Sequence, residues 1–209
     1  MSLTDLAISC FQWNRKISSR LTPVLARSPI TPNQITTLSL VAGFAAAYFL
    51  SYGNRPGMLA GAFFLQSAFI LDNCDGGVAR LKSMQSQLGM WYDLTADVFV
   101  DFAVWTGLAF GMRAAGSGRA GFWLAAGACA GSLINYGRVA IGRLKGSSGK
   151  ETPPAAEKFY SKILHVLSHD GDPSLLVWLL AAIGNPFYLL AAGACYINLI
   201  WIFAVLKKW

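Results

Sequence analysis

Asp72, Asp75, Asp93, Asp97 and Asp101 make up half of the ten acidic residues in this 209-residue chain, and all lie between positions 72 and 101. They sit within or at the edge of long apolar runs. An ionised aspartate at the centre of a membrane-spanning helix costs roughly 2.5–3.5 kcal/mol on insertion scales. A cost repeated several times needs compensation, and only Arg80 and Lys82 lie close in sequence. Carboxylates converging on one place repel unless cations sit between them, and all-oxygen ligation favours magnesium, manganese or calcium over zinc.

Helical geometry brings the set together. At about 100° per residue, Asp75, Gly76, Ala79 and Arg80 fall within about 80° of Asp72. Gly89, Asp93, Asp97 and Asp101 recur at every fourth position and form one stripe on the following helix. Antiparallel neighbours joined by a short turn can point these faces at each other. Two divalent ions would balance the charges of Asp72, Asp75, Asp93 and Asp97, and a metal pair is also the clamp used for displacement at phosphorus. Gly76, Ala79 and Gly89 leave room for a flat base or a pyrophosphate to approach the backbone. The planar fork of Arg80 suits phosphate oxygens. Plain ion pairing, or the lining of a watery cavity, suits one intramembrane aspartate far better than this whole set.

The elements that must hold these residues are membrane helices. The chain is 55% hydrophobic and 13% charged, with mean hydropathy +0.46; a soluble domain carries about 25% charged residues. An all-α integral membrane fold follows, with six transmembrane helices preceded by an N-terminal amphipathic interfacial helix. Residues 1–30 read as the amphipathic juxtamembrane segment and 31–209 as the six-helix membrane domain. Within 3–25, Leu6, Cys10, Trp13, Ile17, Leu21 and Val24 step by three or four on an apolar face. Thr31-Pro32 has the form of an N-cap followed by proline at the first helical position. Spans are expected over 33–51, from 57 through 71, over 90–112, 121–141, 174–184 and 187–206. A loop over 142–154 and a short surface helix over 155–169 precede the fifth span. Asp5, Arg15, Lys16, Arg20 and Arg27 interrupt the first thirty residues, so no cleavable signal peptide is expected there.

Net charge is +7, but the basic residues cluster between spans, which points to anionic lipid head groups rather than nucleic acid. With the N-terminus in the cytoplasm, only Arg55, Arg113 and Arg119 of the 17 lysines and arginines fall outside. The positive-inside rule therefore places both termini and the aspartates' end in the cytoplasm. Cys10, Cys74, Cys129 and Cys195 lack paired spacing and read as packing residues. His165 and His169, four apart, read as part of a solvated polar helix rather than a metal site.

Read continuously, Asp72-x2-Asp75-Gly76-x2-Ala79-Arg80-x8-Gly89-x3-Asp93-x3-Asp97 resembles the complete signature of the CDP-alcohol phosphotransferase (CDP-alcohol phosphatidyltransferase) family, with every fixed position matched. Thr31-Pro32-Asn33-Gln34-Ile35-Thr36 also resembles the family's entrance to its first span. The resemblance implies two divalent ions, Mg2+ or Mn2+, with Asp72 and Asp93 bridging both, Asp75 on one and Asp97 on the other. It makes Asp97 the general base and sets Asn33, Thr36, Gly76, Arg80 and Ser86 around the CDP moiety, with Ala79 and Gly89 giving it space. The implied reaction moves a phosphatidyl or phospho-polyol group from a CDP-alcohol to an acceptor hydroxyl and releases CMP, in a homodimer embedded in membrane lipid.

Asp101, Arg138 and Arg143 lie outside the signature and are candidates for acceptor contacts; ion pairing or membrane anchoring predicts them equally well. Two donors stay open, a lipid such as CDP-diacylglycerol and a water-soluble CDP-polyol, as in a di-inositol-phosphate-type synthase. The stretch from Asn14 to Thr36 is somewhat more similar to the second. Other readings of the carboxylates are a membrane prenyltransferase, against which Gly76, Ala79 and Arg80 speak, and a cation channel or transporter.

Overall fold

The computed structural model describes residues 13–144 and 174–206. Every regular element among them is helical: α1 (Trp13–Arg27), α2 (Pro32–Leu50), α3 (Arg55–Leu81), α4 (Gln87–Ala114), α5 (Ala120–Leu144), α6 (Ser174–Ile183) and α7 (Pro186–Leu206).

The starts of the three helices that matter most are written in local chemistry. Thr31 caps α2 through a reciprocal capping box. Its hydroxyl accepts from the Gln34 amide at 3.3 Å, and the Gln34 side chain accepts from the Thr31 amide at 2.9 Å, satisfying two orphan donors at once. Pro32, which has no N–H to lose, follows at the first helical position. Asn54 caps α3 through the Gly57 amide, and Ser86 caps α4 through the Gly89 amide, each at 2.9 Å. Between them α3 closes on Lys82, after which Ser83 takes φ 55° and the Met84 amide reaches back to the Ala79 carbonyl at 2.9 Å. That closure turns the chain tightly enough to lay α4 beside α3.

The bundle mixes small and large apolar residues inside and keeps large apolar residues outside as well. Ala46, Ala47 and Leu50 of α2 pack with Met58, Ala62 and Leu65 of α3 and with Val100, Val104 and Leu108 of α4. Leu38, Val41, Phe44, Phe63, Phe99, Phe110 and Trp123 point outward and are exposed. An outer surface that apolar suits hydrocarbon, not water. A β-carbon at Gly107 would stand 2.4 Å from the Ala47 carbonyl oxygen, and one at Gly111 2.4 Å from that of Leu50. The backbones of α2 and α4 therefore touch, which only glycine permits.

Connectivity then fixes the two ends of the bundle. The α2–α3 turn, the end of α4 and the α6–α7 turn share one end, where Gly53 meets Gly111 and Gly184 meets Arg55. The start of α2, the end of α3, the start of α4 and the end of α5 share the other. Arg80, Lys82 and Arg143 lie at this second end, and Arg55, Arg113 and Arg119 at the first.

Several boundaries differ from expectation. Helix α4 starts earlier and ends later than 90–112, and α5 runs on through Leu144 into the expected loop, while α3 stays helical to Leu81, as the helical reading of Asp72 to Arg80 requires. A backbone near the membrane must satisfy its own hydrogen bonds, and continuing the helix is the simplest way. Helices α2, α3 and α4 are long and apolar enough to cross a membrane, and Pro186–Ile202 is a shorter apolar stretch. The ten residues of α6 extend for only about 15 Å, half of a hydrocarbon core of about 30 Å. The earlier half of the expected 3–25 helix, the 155–169 helix, and His165 and His169 lie outside the described residues.

Candidate active site

Three turns of α3 and three of α4 carry the site. Asp72, Asp75, Gly76, Ala79 and Arg80 precede the Ser83 reversal; Gly89, Asp93 and Asp97 follow it. Asp72, Asp75 and Asp93 each offer a carboxylate oxygen, and these oxygens lie within 4.8 Å of one another. Asp97 joins from the other side, its side chain meeting that of Asp72. Asp93 contacts both Asp72 and Asp75. Asp72 and Asp93 thus occupy the middle of the group, with Asp75 and Asp97 at its opposite ends.

Neighbours orient these carboxylates. The Thr36 hydroxyl of α2 donates to Asp75 Oδ2 at 2.5 Å, and Asp75 Oδ1 accepts from the Gly76 amide. Asp75 is 5% exposed and Thr36 4%, so this bond ties α2 to α3 at the level of the cluster. Asp93 Oδ1 is buried and has no hydrogen-bond partner. An orphaned buried carboxylate oxygen is costly, and here it belongs to a side chain that contacts two further carboxylates. Oxygens from several side chains, gathered in a small volume with one of them unpartnered, fit a divalent oxygen-loving cation. The residues present fit the implied metal.

Above the cluster opens a cavity of about 500 Å³, walled by α2, the end of α3 and the start of α4. Asn33, Thr36, Gly76, Ala79, Arg80, Ser86 and Gly89 all line it, and Asp75 and Asp93 form its acidic side. Every residue singled out for the CDP moiety therefore borders one space. The Arg80 guanidinium lies over Gly76, where a β-carbon would stand 3.5 Å from its Nη1. At Gly89 a β-carbon would stand 3.0 Å from Ser86 Oγ and 3.2 Å from Asn33 Oδ1, so the absent side chain is part of the cavity's shape. Pro32, Met84, Gln85, Gln87 and Met90 complete the lining; their types carry no chemical signal from which sequence reasoning could have chosen them.

The candidate acceptor residues divide. Asp101 does not line the cavity. Ser132 of α5 donates to its Oδ2 at 2.7 Å, the Trp105 indole donates to Ser132 at 3.2 Å, and Tyr136 also bonds Asp101. Tyr136 is within electrostatic reach of Asp97, Asp72 and Asp93 as well. Arg143 donates to the Met90 carbonyl at 3.4 Å and its charge reaches Asp93. Arg138 is half-buried on the same helix and does not border the cavity. Ser132 and Tyr136 were not anticipated from sequence. With Val139 and Arg143 they recur at helical spacing, a stripe that the apolar background of α5 hides.

Comparisons with known proteins identify the family. The profile of the CDP-alcohol phosphatidyltransferase family matches residues 29–205. Among similar proteins, a "Bifunctional IPC transferase and DIPP synthase" of Aquifex aeolicus is 36% identical over 100 residues, 48% of this chain and 22% of the relative. An "Archaetidylinositol phosphate synthase" of Pyrococcus horikoshii is 35% identical over 92 residues, 44% of this chain and 47% of the relative. A "Phosphatidylinositol phosphate synthase" of Cutibacterium acnes is 32% identical over 116 residues, 55% of this chain and 53% of the relative. Each match spans about half the relative's length or less. Carried by the profile match over residues 29–205 and in keeping with the aspartates and cavity just described, the assignment is that this chain belongs to the CDP-alcohol phosphatidyltransferase family.

Proposed function

We propose that the protein transfers a substituted phosphate from a CDP-alcohol to an acceptor hydroxyl, releasing CMP, at the α3–α4 aspartates. The observation that carries this reading is the junction of two features. A carboxylate group with an orphaned oxygen on Asp93 lies directly beneath a cavity bordered by Asn33, Thr36, Gly76, Ala79, Arg80, Ser86 and Gly89.

Asn33, Ser86 and the space over Gly76, Ala79 and Gly89 hold the cytidine side of the donor, and Arg80 pairs with its pyrophosphate through a bidentate fork. Asp72, Asp75, Asp93 and Asp97 would hold two Mg2+ or Mn2+ ions, whose charge would offset that of the pyrophosphate and of the departing CMP. Thr36 keeps Asp75 in its ligating orientation. Asp97 accepts the proton of the acceptor hydroxyl as that oxygen attacks the β-phosphorus. The bond between β-phosphorus and CMP breaks, a phosphodiester forms, and CMP leaves with the electron pair. Arg143, beside Met90 and Asp93, suits a phosphorylated acceptor such as an inositol or glycerol phosphate; Arg138 extends the same basic face, and Asp101 stands one turn deeper.

In this reading six spans form one membrane domain over 31–209, following a juxtamembrane segment over 1–30 that contains the interfacial α1. The cavity opens to the cytoplasm, both termini lie there, and the working unit is a homodimer. A CDP-diacylglycerol donor would leave its acyl chains in lipid. A soluble CDP-polyol is the second donor, favoured by the match to the bifunctional Aquifex aeolicus protein.

CMP release tests the reading. Purified protein with Mg2+ should release CMP when CDP-diacylglycerol or a CDP-polyol is combined with inositol phosphate or glycerol phosphate, and the productive pair names the substrates. Asp97→Asn should bind the donor nearly as the parent does and lose turnover by a factor of about 10²–10⁴. Full activity in that variant would remove the base assignment, and metal-dependent ion flux without CMP release would make the protein a channel or transporter.

A further inference from the structure

Lys82 lies two residues beyond Arg80, outside the aspartate signature, and does not border the cavity. Two residues on a helix are about 200° apart, so Arg80 and Lys82 leave α3 on opposite sides. Arg80 reaches over the cavity; Lys82 reaches the segment joining α1 to α2. Its ammonium donates to the Ser28 carbonyl and to the Ile30 carbonyl, each at 2.7 Å. These carbonyls flank the step from the end of α1 to the Thr31 cap, where backbone acceptors have no helical partner. A compact three-donor cation satisfies both.

What Lys82 grips is the root of the cavity's second wall. Pro32, Asn33 and Thr36 follow Ile30 within two turns, and all three line the cavity opposite Gly76, Ala79 and Arg80. Further ties join these walls: Thr36 bonds Asp75, and Ile35 of α2 forms a buried cluster with Cys74 and Val78 of α3, against which Ile30 packs. At the mouth, Lys82 spans the walls with two charge-assisted bonds.

Resting on the reading of this cavity as the donor site, we infer that Lys82 is a positioning residue for the donor: by clamping residues 28–30 it sets the distance between Asn33 on α2 and Arg80 on α3. It touches no reacting atom, so it acts on donor binding and not on the chemical step. Bonds to a charged donor are strong enough that losing both weakens donor binding about tenfold.

The test uses the full chain in detergent micelles with Mg2+. Lys82→Met should raise the donor KM about tenfold while leaving kcat and the acceptor KM unchanged, and Lys82→Arg should recover most of the loss. CMP titrated calorimetrically should bind Lys82→Met correspondingly more weakly. Hydrogen exchange should quicken at residues 28–37 alone. An unchanged donor KM, a fall in kcat without a KM change, or faster exchange throughout the bundle would overturn the inference, the last by showing a general structural role. If the parent protein binds no CMP, the donor-site reading itself fails. If the parent binds CMP and Lys82→Met binds it equally well, only the role of Lys82 fails.

Discussion

At the scale of single residues, the site depends as much on what is missing as on what is charged. Gly89 stands where a methyl group would press on Ser86 Oγ, which is held in place by its bond to the Gly89 amide, and on Asn33 Oδ1. Gly89→Ala should therefore leave the helix intact and narrow the cavity. Donor KM should rise about tenfold, since one extra methyl group in a tight pocket is worth about 1–3 kcal/mol, with kcat little changed; steady-state kinetics over a donor series reads this directly. The aspartates were legible at this scale because spacing alone places them on two helical stripes. Thr36 was legible only through the resemblance, and its bond to Asp75 required the fold. Lys82 was not legible as a clamp, because its carbonyl partners lie more than fifty positions earlier and backbone acceptors leave no mark in a sequence.

At the scale of elements, the α3–α4 reversal decides whether the two stripes face each other. It passes through Ser83 at φ 55°, a left-handed conformation that costs an L-residue roughly 1–2 kcal/mol. Glycine would adopt it freely and a β-branched residue would not. Serine already carries that cost, so Ser83→Gly should stabilise the protein by up to about 1–2 kcal/mol, whereas Ser83→Val, whose branched side chain fits this conformation worse, should destabilise it and reduce activity with it; denaturant unfolding in micelles checks both. The helix starts at Thr31 and Ser86 follow from local capping chemistry, and that at Thr31 was expected. The end of α5 was not, because apolar content falls at Ile141 while helical hydrogen bonding continues. Hydropathy reports what surrounds a segment, whereas helix length reports how its backbone is satisfied.

At the scale of the whole molecule, the bundle is asymmetric in charge and in chemistry. Arg80, Lys82 and Arg143 share an end with the cavity, and Arg55, Arg113 and Arg119 occupy the other. If the basic end faces the cytoplasm, a cysteine placed at Ser83 in a background without native cysteines should be labelled by an impermeant thiol reagent only in inside-out vesicles. One placed at Ser117 should be labelled only in intact cells. The opposite pattern would invert the topology. The whole-chain arrangement was legible as a membrane bundle from composition and hydropathy. The α5 polar stripe of Ser132 and Tyr136 stayed hidden, since two hydroxyls in an apolar helix acquire meaning only when Asp101 is found beside them.

All three scales meet in the claim that carboxylates from α3 and α4 hold a pair of divalent ions. Anomalous diffraction from crystals grown with Mn2+ tests it most directly. The account predicts two peaks between the helices, both beside Asp72 and Asp93, one also beside Asp75 and the other beside Asp97. Their loss in Asp72→Asn would agree with it. A map with no peak among these side chains, from crystals of a protein that still releases CMP, would contradict it.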